Sequence, residues 1–191
     1  GGKYEGMGTA YTAVGMDSSY IAANPSASSS LKYTELSFLH NNWIADSNME
    51  GVIYTIRFND LGIGIGGQFL YDSFTEYDDW GERGGRGYYS ESIGTLNVSY
   101  NFFSSYYFYG FAVGGNVKVA YRNIPETIYP EQSVLTALMD IGVLSRFNVL
   151  KLYASRSRNF SAGAVLKNLG PLVMNEPPPT EATFGIAYSP I

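Results

Sequence analysis

Polar and apolar residues alternate along most of this chain with a period of two. The clearest stretch runs from Tyr107 to Tyr121. Its odd positions are Tyr107, Tyr109, Phe111, Val113, Gly115, Val117, Val119 and Tyr121. Its even positions are small or polar for most of their length, include Asn116 and Lys118, and lead on to Arg122. Period two is the side-chain repeat of a β-strand. The run exceeds the roughly 5–6 residues of an ordinary soluble strand. Aromatics bracket its aliphatic centre, as in outer-membrane barrels, whose strands need about 9–11 residues to cross the apolar layer.

The same pattern predicts seven more strands. They cover residues 33–41, 49–58, 61–74, 88–102, 133–146, 159–168 and 180–189. The third puts Leu61, Ile63, Ile65, Phe69 and Tyr71 on one face, and Gly62, Gly64, Gly66 and Gln68 on the other. Asn59-Asp60 reads as a tight turn. Residues 42–48, 75–87, 123–132 and 169–179 read as loops, and 147–158 as either a long turn or a short extra strand at Leu150-Lys151-Leu152-Tyr153. Connections after the second and fourth strands are short, and those after the third, fifth and seventh are long. Outer-membrane barrels have short periplasmic turns and longer outside loops. The expected arrangement is an antiparallel transmembrane β-barrel with a periplasmic N-terminus. Phe102, Phe103, Tyr106 and Tyr107 would form one aromatic girdle, and Tyr71, Tyr88, Tyr89 and Tyr121 the other.

Residues 1–30 break the pattern. They are small, polar and rich in Gly, Ser and Ala. Asp17 could cap a short helix through Ala23, which Pro25 would stop. Such a segment has too little bulk for a core of its own. It is either an arm or a plug packed inside something larger. The barrel itself would occupy residues 31–191.

Composition narrows the picture. Hydrophobic residues are 45% of the chain, yet no stretch approaches the roughly 20 apolar residues of a spanning helix. A membrane would therefore be crossed by strands. The 22 Gly and 17 Tyr favour sheet over helix. Without Cys there is no disulfide framework or thiolate metal site. The net charge of -5 argues against nucleic acid as a partner. Gly1-Gly2-Lys3 is followed by no apolar run, so the N-terminus reads as mature or trimmed.

Gly6-Met7-Gly8-Thr9-Ala10-Tyr11-Thr12-Ala13-Val14, Asp17-Ser18-Ser19 and Asn24-Pro25 resemble the opening of the FadL-type outer-membrane transporter family. Glu35-Leu36-Ser37-Phe38, Asn42-Trp43-Ile44-Ala45-Asp46 and Lys167-Asn168-Leu169-Gly170 resemble pieces of its PorV-like branch. Ser26 stands where that family usually has Ala. The resemblance implies a bacterial outer-membrane barrel of about fourteen strands. It implies an N-terminal hatch in the lumen and passive uptake of hydrophobic molecules such as long-chain fatty acids. Eight strands are counted here and no strand ends the chain on an aromatic, so a partial barrel is expected. A barrel of about eight strands would leave no room for a plug.

Candidate chemistry is sparse. His40 is a lone imidazole at a strand end, read as structural rather than as the base of a barrel lipase. Glu76, Asp78, Asp79 and Glu82 lack the ligand spacing of a calcium loop. Gly62 to Gly67 precedes no helix, which argues against a phosphate loop. No enzyme activity, cofactor or metal is expected. Asp17, Ser18 and Asn24 are expected to hold the hatch through Arg57, Lys118 or Arg122, because buried polar groups need partners. Gly62, Gly64, Gly66 and Gly67 have two readings. They make room for the hatch, or they weaken strand pairing and open a lateral gate for ligand release, as a kinked third strand does in FadL-type transporters. Expected partners are membrane lipid, a hydrophobic small molecule and a protein at the outer loops. Two other functions stay open: a structural or secretion-associated barrel that holds a partner protein, and a soluble β-barrel that binds an apolar ligand.

Overall fold

The computed structural model describes residues 7, 10–42, 47–78, 80–104, 109–126, 132–149 and 159–189. They form one antiparallel sheet of eight strands, each paired with the next in sequence. The strands are β1 (Glu35–Asn42), β2 (Asn48–Phe58), β3 (Leu61–Tyr77), β4 (Arg83–Phe102), β5 (Phe111–Asn123), β6 (Val134–Phe147), β7 (Phe160–Leu169) and β8 (Glu181–Tyr188). No pairing joins β8 to β1, so the sheet is open. The fold is all-β and antiparallel, as the alternation predicts, and closure into a barrel is not present within these residues.

The two faces of the sheet differ in kind. On β5, Ala112, Gly114 and Asn116 are buried, while Phe111, Val117, Val119 and Tyr121 are exposed. Every strand presents apolar bulk on the outer face. One example from each, in order, is Phe38, Val52, Ile65, Leu96, Val117, Met139, Leu166 and Phe184, all exposed. The inner face buries polar residues instead, among them Thr55, Asn97, Ser99, Asn116 and Asp140.

Residues 11–31 lie against the inner face. They contain one turn of helix, α1 (Tyr20–Ala23), and a 3-10 helix (Pro25–Ser30). This short segment touches β2 through Thr55, β4 through Ser99, β5 through Asn116 and β6 through Val143. The backbone around Thr12 also approaches Gly163 on β7 and Gly185 on β8. Eight flat strands at about 4.8 Å spacing would span roughly 34 Å. One compact segment can reach β2 through β8 only because the sheet curls around it.

Several expectations are corrected in detail. Ser19, not Asp17, is the N-cap of α1, and it makes no side-chain cap. The Asp17 carboxylate instead accepts from the Ser19 N–H at 3.0 Å. Pro25 does more than stop a helix, since it opens the 3-10 helix, where its missing N–H costs nothing. The charged stretch 75–87 is largely paired, with Thr75 opposite Arg86 and Tyr77 opposite Arg83. Pairing satisfies the backbone groups there, so β3 and β4 run on past their neighbours and the loop shrinks to 78–82. The expected alternation of long and short connections is lost with it. β5 begins at Phe111 rather than Tyr107, because Gly110 takes φ +107° and Asn101 Nδ2 holds the Tyr109 carbonyl at 2.6 Å. Trp43, Tyr106, Tyr107 and the Leu150–Tyr153 stretch lie outside the described residues.

Aromatics collect toward both ends of the strands. At one end Phe102 pairs with Phe111 and Phe147 with Phe160, and Phe103 is exposed. Toward the other, Phe69 and Tyr71 stack with ring centroids 5.7 Å apart, and Tyr88 and Tyr121 are exposed. Tyr89 departs from the expected girdle. It has the parity of the inner residues Asn97 and Ser99, and its hydroxyl donates to Glu91.

Candidate functional site

The inner face is organised by one polar rung. Asn97, Asn116 and Asp140 lie directly opposite one another on β4, β5 and β6. Opposed side chains on one face sit close enough to bond. Asn97 Nδ2 donates to Asn116 Oδ1 at 2.8 Å, and Asn116 Nδ2 donates to Asp140 Oδ2 at 2.9 Å. The same amides hold the segment: Asn97 donates to the Pro25 carbonyl at 2.9 Å and Asn116 to the Ile21 carbonyl at 2.8 Å.

Asp140 anchors the far end of that rung. The β6–β7 register shifts between Met139 and Ile141, and Asn168 takes φ +58° on the facing strand. This bulge turns the Asn168 N–H toward Asp140 Oδ1, 2.9 Å away. Lys118 Nζ lies 2.8 Å from the same oxygen and donates to Asn168 Oδ1 at 2.6 Å. The carboxylate is nearly closed to solvent and thus keeps a cation and two N–H donors.

The segment is tied down along its length. Tyr20 is fully buried and its hydroxyl shares a 2.8 Å hydrogen bond with Thr55. Burial pushes the Tyr20 phenol up to about 12. Asn24 Nδ2 donates to the carbonyls of Thr12 and Val143 at 2.8 and 3.0 Å. Ser99 Oγ accepts from the Ser29 N–H at 2.8 Å and shares a 2.6 Å bond with Ser28 Oγ. Arg57 Nη1 donates to the Leu31 carbonyl at 2.5 Å. Arg146 donates to the carbonyls of Val14 and Gly15 and lies over the Tyr109 ring.

The residues singled out from sequence take different places. Asn24, Pro25 and Arg57 make or receive segment contacts. Lys118 faces inward, yet its bonds go to Asp140 and Asn168. Arg122 sits at the other end of the sheet, where it lines a cavity under the β7–β8 connection. A Cβ on Gly62 would lie 2.5 Å from Ser28, and one on Gly64 would lie 2.0 Å from the Tyr20 hydroxyl. A Cβ on Gly66 would meet Ile21 at 2.9 Å, while Gly67 faces open space. β3 pairs with β2 and β4 without a break through all four glycines. This arrangement therefore has no gap in the wall at β3. Asn97, Asp140 and Asn168 escaped sequence reading as a site. For Asn97 and Asp140 the signal is inward parity, which needs the register to become visible. Asn168 has outward parity on β7 and is brought in by the bulge.

Two of the cavities that adjoin this face have charged groups in their walls. One of about 190 Å³ lies at the tip of the segment, between Ile21, Ile53 and Ile93 on one side and Lys118, Asp140 and Lys167 on the other. The second, about 300 Å³, contains Arg122. His40 is on the outward side of β1, with Nδ1 2.6 Å from Glu50 Oε1, and both side chains are exposed. Asp78 Oδ1 accepts from the N–H groups of Trp80 and Glu82, closing the β3–β4 loop; Asp79 lies outside the described residues. Among the described residues no three acidic, His or Cys side chains gather as a metal site.

A family model matches residues 1–187, and its description is an uncharacterised protein family (UPF0164). Two similar proteins, both described as UPF0164 proteins of Treponema pallidum (strain Nichols), are 30% identical over 100% of this chain and 29% identical over 89%. The chain spans 47% and 35% of their respective lengths. No solved structure matches. These matches correct the resemblance to FadL-type and PorV-like proteins, whose descriptions they do not carry. Several of the described residues behind that resemblance have a local packing role here. Small Thr12, Ser19 and Ser26 and the Asn24-Pro25 pair let a segment lie flush on a curved sheet.

Proposed function

The chain belongs to the uncharacterised protein family UPF0164, and from that starting point we propose that it forms part of an outer-membrane β-barrel for passive passage of apolar small molecules. In this reading the outer face meets lipid and residues 11–31 plug the lumen. The observation that carries it is the inverted distribution of polarity. Apolar side chains from all eight strands are exposed, and Asn97, Asn116, Asp140 and Ser99 are buried. A soluble sandwich buries its apolar faces and wets its polar ones. Exposed apolar patches of this extent call for a partner phase, and aromatics near both ends of the strands fit an apolar band with two interfaces. The inner cavities mix aliphatic walls with a few charged groups, as small-molecule sites do.

Fractionation of the full-length protein tests this directly. It should require detergent for extraction and should run faster on gels unless heated. In liposomes it should speed entry of an apolar dye. Recovery in the soluble fraction would overturn the membrane reading, and a folded protein that leaves dye entry unchanged would overturn passage. A second reading has one observation of its own. The β3–β4 hairpin projects beyond its neighbours and carries Trp80, which is 91% exposed at its tip. That hairpin suits a partner protein at the outer loops. Trp80→Ala should leave dye entry intact and abolish a co-purifying partner.

A further inference from the structure

The geometry points to a binding site for a neutral acyl ester or acyl amide in the cavity under the β7–β8 connection. The connection folds back over the inner face. A Cβ on Gly170 would lie 2.6 Å from Leu138 and 2.8 Å from the Ala137 carbonyl. Asn168 Nδ2 donates to the Pro179 carbonyl at 3.0 Å, and Val173 and Glu176 exchange backbone hydrogen bonds of 2.8 and 2.9 Å. The connection is thus fastened as a roof rather than left as a free loop.

The space beneath it is about 300 Å³, at the lower end of the roughly 300–1,000 Å³ typical of small-molecule sites. Ile93, Val134, Leu138, Met174, Pro177 and Pro178 give it apolar walls. Two polar atoms among its lining residues are shielded from solvent and have no hydrogen-bond partner among the described residues: Arg122 Nε and Thr136 Oγ1. Arg122 pairs with Val134 and Ala120 with Thr136, so the two groups are diagonal neighbours on β5 and β6. A shielded donor without an acceptor is costly, and an oxygen reaching both would relieve two of them. The cavity therefore accepts an apolar chain with an acceptor at its head.

Charge decides which head. Glu91 lies directly opposite Arg122 in the β4–β5 register, and Glu91 and Glu176 both line the cavity. A free carboxylate would meet one guanidinium and two carboxylates, and like charges disfavour it. The carbonyl of an ester or amide accepts the same hydrogen bonds without that repulsion. The volume admits about ten small groups at the roughly 30 Å³ that a water occupies in the liquid, which sets a medium chain length. The inference deepens the passage reading and rests on it for the direction of approach. Binding and passage are measured apart.

The test uses the full-length protein in nanodiscs and a photoactivatable decanoyl ester, with methyl decanoate, decanoate and decane as competitors. Labelled peptides should map to residues 134–138 or 173–179. Methyl decanoate should compete at least about tenfold better than decanoate or decane, a difference well above measurement scatter. Arg122→Met and Thr136→Val should each weaken that competition, and Ala120→Leu should abolish labelling by filling the cavity. Heat-dependent gel mobility reports folding. Where Arg122→Met fails to fold, the other two variants carry the test. Decanoate outcompeting the ester, decane matching it, or labelling unchanged in every folded variant would overturn the site. Loss of dye passage with labelling intact counts only against the passage reading.

Discussion

Asp140 ties three neighbours together on the inner face. It joins Asn116, Lys118 and the bulge N–H of Asn168, and through Asn116 it reaches the Ile21 carbonyl. Breaking a buried ion pair from one side leaves the other charge uncompensated, at a cost of about 3–5 kcal/mol. Asp140→Ala should therefore destabilise the protein by that order, read as a lowered urea midpoint in lipid. Adding Lys118→Met should recover a large part of it. A double variant no better than the single would show that Lys118 has other support. Tyr20 gives a pH signature at the same scale. Its phenol is raised from 10.0 to about 12 by burial, so the folded state favours the neutral ring. The stabilisation is complete below about pH 10 and is lost as pH rises toward and through about 12. Docking of the segment, followed by protease sensitivity of residues 11–31, should weaken across that window. Tyr20→Phe should dock less firmly at neutral pH, having lost the Thr55 bond, but should show no such window.

β3 is the element where sequence and structure can be compared most closely. Its period-two pattern made the strand legible, because alternation alone decides which side chains share a face. It did not decide what the glycines on that face were for. Gly62 and Gly64 leave room for Ser28 and the Tyr20 hydroxyl, contacts made across more than thirty residues of chain. Such long-range contacts leave no local trace. The same limit hid the Asn97–Asn116–Asp140 rung, whose members are far apart in sequence and meet only through register. Charge misled in the other direction at 75–87. A run rich in Gly and charge reads as loop, yet two such runs facing each other pair because their backbones need partners. Gly64→Ala places a Cβ where the Tyr20 hydroxyl sits, and should release the segment to protease while the sheet stays folded. Gly67→Ala adds a Cβ into open space and should not. On the membrane reading the two faces of the sheet should differ as lipid and lumen do. Val117→Arg, on the exposed apolar face, should cost roughly 2–4 kcal/mol in lipid if it sits near the bilayer midplane. Gln68→Arg on the inner side of β3 should cost much less. Equal costs would contradict the outward assignment of Val117.

At the scale of the whole molecule the open edges matter most. β1 and β8 each leave one row of backbone N–H and C=O groups without a strand partner among the described residues. Within a bilayer, unpaired backbone groups are too costly to leave exposed, which is why spanning sheets close. The chain covers only 47% and 35% of the two relatives' lengths. On the membrane reading, strands from elsewhere in such a longer protein would pair with β1 and β8 and complete the wall around the segment. On that reading the curvature would belong to a wider barrel. Eight strands alone would close on an interior about wide enough for side chains, whereas here residues 11–31 already occupy the hollow. Hydrogen exchange on the full-length protein in lipid should find the outer-edge amides of β1 and β8 as protected as those of β4 and β5. The 191-residue chain by itself should lose that protection at both edges while keeping it between strands. Slow exchange at both edges of the isolated chain, at every protein concentration, would mean that these eight strands close by themselves. Protection that grows with concentration would instead assign the edges to a second copy.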